Sequence, residues 1–168
     1  MILATGPSSF ELPSRLKIGR KTVINYIDIL EKSFVVNRLA PFSRNPRREI
    51  GKQSKIYFLD PGIRNALAGN FNDLALRVDR GAVWENFLIV ERMKAALNRG
   101  KKVQNYYWRS YSGAEVAYLE LDATGNIQAF EFKSGRTQRA RGGEAFSKAS
   151  EVEVKVVNEE NYLDFIRG

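Results

Sequence analysis

The chain contains no cysteine and no histidine. Without cysteine, disulfide frameworks, thiolate metal sites and thiol nucleophiles are excluded. Without histidine, Ser-His and Cys-His catalysis, imidazole metal ligands and a histidine pH switch go too. No apolar run is long enough to cross a bilayer. The start, Met1-Ile2-Leu3-Ala4-Thr5-Gly6-Pro7, lacks the basic region and apolar core of a signal peptide. Internal repeats and low-complexity tracts are missing as well. The expectation is a soluble, cytoplasmic protein with no membrane partner, whose chemistry falls to carboxylates, lysines, arginines and hydroxyls.

What is present can build a core. Of 168 residues, 43% are hydrophobic and 27% charged, which suits one domain or two small ones. The formal charge is +8 and the isoelectric point lies near 9.8. Residues 1–80 carry 14 Lys/Arg against 7 Asp/Glu, whereas residues 81–168 carry 13 against 12. The positive excess therefore belongs to the first half, and it favours an anionic partner, nucleic acid foremost.

In that first half the apolar spacing predicts a brief helix over 10–16 and a stronger one over 21–32. The second has Val23, Tyr26, Ile27 and Leu30 on one stripe. Thr22 is its expected N-cap, with Asn25 three positions on, so the capping box is incomplete. Strands follow over 34–36 and 56–59, separated by the basic turn Arg44-Asn45-Pro46-Arg47-Arg48. Helix, turn, helix and a hairpin with a cationic tip make the layout of a winged helix. Such a unit sets its second helix in the major groove and its wing against phosphates. Here Arg20, Lys21, Asn25, Arg44, Arg47 and Arg48 would make those contacts. Asp28 and Glu31 on the same helix oppose them, so a purely protein-binding winged helix is the competing expectation. A short helix over 63–68 and a polar linker at 69–73 end this half.

The second half reads as a long helix over 80–98 closed by Gly100, then strands over 104–109, 115–121 and 127–133. A short helix over 144–149, a strand over 151–157 and a terminal turn over 162–166 complete an α/β core with helices on the sheet faces. Tyr106, Tyr107 and Trp108 are core candidates, with an interface as the other reading. On the third strand Phe130 and Phe132 face one way, Glu131 and Lys133 the other. Such a Glu-x-Lys pair can hold a divalent cation and stabilise charge at a phosphate. Glu153-Val154-Lys155 repeats the pattern, with a solvated strand face as its plain reading. Glu85, beside Leu88 and Ile89 on the long helix, is a second acid expected to be partly buried.

The order helix Glu, hairpin, Glu-x-Lys resembles the restriction-endonuclease-like, or PD-(D/E)XK, fold. The ordered set Gly19-Arg20-Lys21-Thr22-Val23, Tyr26, Leu30-Glu31, Lys55-Ile56-Tyr57-Phe58-Leu59-Asp60-Pro61-Gly62-Ile63-Arg64, Gly81-Ala82-Val83-Trp84-Glu85-Asn86-Phe87, Tyr107-Trp108-Arg109, Gly113-Ala114-Glu115-Val116-Ala117-Tyr118 and Phe130-Glu131-Phe132-Lys133 resembles the C-terminal region of a large family of prokaryotic AAA+-type ATPases. That resemblance implies an α/β (α+β) chain: a winged helix-turn-helix over 1–72, then a restriction-endonuclease-like domain over 73–168 with a central mixed sheet. It also implies DNA as the anionic partner, an ATPase or a second copy as further partners, and a site of Glu85, Glu131 and Lys133. In that site Glu131 and Glu85 are the ligands a Mg²⁺ ion would use.

Two departures qualify the resemblance. The chain has no G-x-x-x-x-G-K-[ST] motif, so ATP binding is not expected, and it reads as the tail of such a protein, whether fragment or short gene. The family's hairpin reads Glu-Val-Asp-Phe, and its metal-binding Asp falls on Ala117, whose methyl group cannot ligate Mg²⁺. Glu115, sharing the face of Ala117 by simple alternation, would sit about 7 Å away along the strand. A vestigial, inactive site is expected, with an active Mg²⁺-dependent nuclease and a protein-binding accessory domain as the alternatives. If the wing touches DNA, replacing Arg47 and Arg48 by Ala should flatten the salt dependence of binding, read from anisotropy titrations.

Overall fold

The computed structural model describes residues 17–43, 54–110, 112–135 and 143–168. The expected helix at 10–16, the wing arginines Arg44, Arg47 and Arg48, and the loop arginines Arg136, Arg139 and Arg141 lie outside those residues. Helix α1 spans Arg20–Lys32 and begins after Gly19, without a side-chain cap; the expected Thr22 cap lies inside it. Only Val23 and Ile27 of its apolar stripe are buried. Tyr26 and Leu30 are exposed, because α1 meets strand β1 along a narrow seam. Phe34 takes a left-handed conformation (φ 56°) just beyond the helix, and Val35 N–H bonds back to Leu30 O. The chain is thus still closing the helix where a strand was expected, and β1 runs Val36–Pro41 instead.

Strand β2, Lys55–Phe58, pairs antiparallel with β1, from Val36↔Phe58 to Leu39↔Lys55. Helix α2, Pro61–Ala68, starts two residues earlier than expected. Asp60 accepts from Gly62 N–H at 2.6 Å, and Pro61 at the first turn gives up no hydrogen bond. A single 3₁₀ turn, Leu74–Leu76, leads to the long helix α3, Arg80–Asn98. Gly100 (φ 66°) closes α3, as its sequence position implies. Then come β3 (Val103–Arg109), β4 (Glu115–Asp122), β5 (Ile127–Phe132), α4 (Gly143–Ser150), β6 (Val154–Val157) and α5 (Tyr162–Arg167).

The six strands form one mixed sheet in the order β2-β1-β3-β4-β5-β6. The β1–β3 and β5–β6 pairs are parallel and the others antiparallel. The hairpin of the first half therefore extends the sheet of the second. At the β2 edge, the buried Asn86 of α3 accepts from Phe58 N–H (2.9 Å) and donates to Phe58 O (2.8 Å), satisfying backbone groups no strand covers.

Alternation along the strands separates two apolar layers. Leu88, Ile89, Tyr118, Phe130 and Phe165 pack between the sheet and helices α3 and α5. Val116, Leu119, Ala129 and Phe146 pack on the opposite face, under α4. Tyr107 is buried in the first layer, while Trp108 stacks edge-on to Phe146 at 5.2 Å in the second, so these aromatics serve the core.

The stretch expected as a linker is tied down by charge. Asp79 receives Arg77 (2.8 Å) and Arg64 (2.9 Å), both guanidinium groups being almost fully buried. Arg77 also donates to Asn65 Oδ1 (2.9 Å) and to Asn70 O (2.8 Å). With its carboxylate so engaged, Asp79 caps α3 through its backbone alone. The hydrogen bonds from Arg77, and then the charge and bonds of Arg64, hold the Asp79 carboxyl far below the ordinary Asp range despite burial. Asp79→Asn should cost about 3 kcal/mol, because two buried cations lose their counter-ion. A depressed pKa stabilises the fold above the unfolded Asp value and loses that contribution as pH falls. The gap between wild type and variant in urea denaturation should therefore hold above about pH 5 and shrink below about pH 4.

Candidate functional site

The acids of the second half meet their partners at one end of the sheet, in two clusters on opposite faces. The first is built on Glu85, in the second turn of α3. Its Oε1 accepts from Tyr57 Oη at 2.6 Å and from Lys55 Nζ at 3.2 Å. Lys55 and Tyr57 alternate on β2, so both reach the same side. The ammonium also bonds Glu115 at the start of β4 and lies 5.2 Å from the centre of the Tyr107 ring. Arg109 donates to the second oxygen of Glu115 at 2.7 Å. Burial alone would lower the Lys55 pKa, but Glu85 and Glu115 outweigh it and raise it above the ordinary lysine value. Burial, and then the Glu85 charge, hold the Tyr57 hydroxyl well above the usual phenol range, so it stays a donor.

The second cluster is Glu131 with Lys133. Phe130 and Phe132 pack on Phe165 at 4.8 and 5.4 Å, so Glu131 between them leaves the sheet on the other face. Lys133 bonds one oxygen of Glu131. The other oxygen, Oε2, is buried and has no hydrogen-bond partner. In the antiparallel register Tyr118↔Phe130, the next positions along the two strands are Ala117 and Glu131. The paired register ends at Tyr118↔Phe130, and Ala117 beyond it is buried.

A bulge lies in β4 between Glu115 and the strand's regular part. The β3–β4 register passes from Tyr106↔Leu119 to Trp108↔Val116, so Ala117 and Tyr118 together oppose the single Tyr107. The extra residue interrupts the simple alternation along β4. Glu115 turns toward Lys55 and the α3 side.

Glu85 ends on Lys55 and Tyr57, and Glu131 on Lys133. No hydrogen bond or ion pair among the described residues joins Glu85 to Glu131 or Lys133. No group of three or more His, Cys, Asp or Glu that could hold a metal ion occurs among the described residues. Arg20, Lys21 and Asn25 are exposed on α1. Asp28 and Glu31, expected to repel phosphate there, are both paired with Arg38, the first at 2.7 Å. Glu120 faces α3 and receives the buried Arg92 through two bonds of 2.7 Å, while Asp122 closes the β4–β5 turn. Glu153 and Lys155 are exposed, as a solvated face requires. Lys55 and Tyr57 were not among the sequence candidates. Their only signal was the alternation of Lys and Tyr on a strand whose edge position was not legible.

The chain is thus a mixed α/β protein whose six-stranded sheet gathers paired acids at one end. Residues 80–164, just over half of the chain, match a domain of unknown function (DUF4143), and the chain belongs to that family. The domain is often found in AAA-ATPase-associated proteins. Residues 8–74 match a second domain of unknown function (DUF8612). The two matches part between residues 74 and 80. No curated protein and no solved structure matches the chain.

Lys55→Met should destabilise the fold by about 3 kcal/mol, since Glu85 and Glu115 would share the site without their cation. Adding Glu85→Gln to Lys55→Met should recover part of the loss. Urea denaturation followed by tryptophan fluorescence checks both, and an unchanged midpoint in the single variant would refute the clamp.

Proposed function

We propose that this chain is a DNA-binding module: a winged helix-turn-helix joined to a degenerate, inactive restriction-endonuclease-like domain of the kind that follows AAA+-type ATPase domains. The observation that carries the reading is Glu131, buried with one oxygen unpartnered among the described residues, on the strand next to β4, where the position that the resemblance gives to a metal-binding Asp is Ala117. A nuclease of this type needs several carboxylates around a divalent cation to activate water and stabilise the phosphate. At the position where the resemblance expects one of them stands Ala117, whose methyl group cannot ligate a cation. Glu85, the third acid, is engaged by Lys55 and Tyr57. If a Mg²⁺ ion binds at all, Glu131, with its unpartnered Oε2, is the residue whose chemistry fits it.

Binding rests on charge. The first half carries the positive excess, α1 exposes Lys21 and Asn25, and Arg38 offsets the acids of that helix. Phosphate contacts of this kind make affinity fall steeply with salt. A second reading has one observation in its favour. Tyr26, Ile29 and Leu30 of α1 and Phe34 just beyond it are exposed, which suits a protein partner such as an ATPase or a second copy.

Anisotropy titrations with labelled duplex and single-stranded DNA across a salt series, paired with cleavage assays in Mg²⁺, test the proposal. The expected result is salt-dependent binding without cleavage. Mg²⁺-dependent cleavage abolished in Glu131→Ala would establish the nuclease instead, and salt-independent or absent binding would leave the protein-docking reading. Calorimetry should show Mg²⁺ binding to Ala117→Asp that exceeds any wild-type signal.

A further inference from the structure

At the far end of the sheet, about 20 Å along α3 from Glu85, lies a cleft of about 480 Å³. It is bounded by the end of α3, the start of β3 and the β4–β5 turn, with Arg99, Lys101 and Lys102 on its walls. A neighbouring cleft of about 340 Å³ shares Arg92, Lys101 and Gln128 with it and adds Lys155. The two form one groove. Residues 81–168 are close to neutral overall, with 13 Lys/Arg against 12 Asp/Glu, so this gathering of cations is local.

The acids lining the groove are already engaged. Both oxygens of Glu120 receive Arg92 at 2.7 Å, and Tyr118 Oη adds a bond of 3.2 Å. Arg92 is fully committed too, its third nitrogen donating to Phe165 O. Asp122 spends its carboxylate on Thr124 and on Asn126 within the turn. Asp164 on α5 is the one groove acid without such a partner. Lys101 donates to Gly168 O at 3.1 Å. Arg99, Lys102 and Lys155 are exposed, and their side chains make no hydrogen bond or ion pair with the described residues. Three unpaired cations therefore line a groove whose acids, Asp164 apart, are neutralised or turned away.

We propose that this groove holds the phosphodiester backbone of a single nucleic-acid strand, as a second contact surface remote from α1 and from Glu85 and Glu131. A groove tracked by cations suits a strand, which lays successive phosphates along it. The proposal rests on the nucleic-acid reading above and adds a site to it.

Anisotropy with labelled dT20 across a salt series is the test. Each phosphate contact on a single strand adds about 0.7 to the slope of log Kd against log salt. The double variant Arg99→Gln/Lys102→Gln should therefore flatten that slope by about 1.4, and adding Lys155→Gln should bring the change to about 2. Lys94→Gln/Lys148→Gln removes the same charge from exposed sites outside the groove and should leave the slope near wild type. Thermal melts confirm that the surface variants fold. An unchanged slope in the groove variants, or an equal fall in the control pair, overturns the groove while leaving nucleic-acid binding standing. No binding of dT20 by the wild-type chain overturns both. Displacement of the strand from wild type by micromolar inorganic pyrophosphate would mark a small-phosphate pocket and overturn the strand assignment.

Discussion

The ammonium of Lys55 between Glu85 and Glu115 is the contact on which the rest of the arrangement turns. It comes from the edge hairpin of the first half and ends on two acids of the second, 30 and 60 residues away in sequence. Two carboxylates at one place repel each other and cost desolvation, so a partly buried cation is what allows both to stay charged. Tyr57 and Arg109 occupy remaining acceptor positions, and Asn86 fixes the backbone of the same strand. The hairpin is thereby held by side-chain charge and hydrogen bonds as well as by its parallel ladder with β3.

The bulge in β4 has a consequence of similar reach. It inserts one residue opposite Tyr107 and goes with Glu115 turning to the α3 side, where Lys55 meets it. Glu131, on β5, has Lys133 as its partner and one buried oxygen without a partner among the described residues. Acids at the same end of the sheet thus fall into two separate chemical environments, each with its own lysine.

Much of the fold was legible locally. The bounds of α3 follow from a long apolar periodicity ended by Gly100, and β3 to β5 from alternation interrupted by Asp122-Ala123-Thr124-Gly125-Asn126. The single-residue alternation of β5 correctly separated Phe130 and Phe132 from Glu131. Less was legible around α1. Thr22 looked like a cap and Tyr26 like core, yet the helix starts at Arg20 and buries only Val23 and Ile27. Propensity marks a helix but not how wide a face its neighbours cover. The 69–73 stretch read as a polar linker because nothing local shows that Arg77, from a buried network with Asp79 and Arg64, reaches back to Asn70 O.

The residues by themselves determined the chemistry on offer: no thiol or imidazole, a basic first half and a Glu-x-Lys strand. Those are properties of side chains and of short-range periodicity, and they need no partner to be read. Which acid meets which cation was decided only by tertiary structure. Ion pairing depends on distance in space, and one inserted residue in a strand, or one hairpin laid along a sheet edge, reassigns every partner without changing a single local pattern.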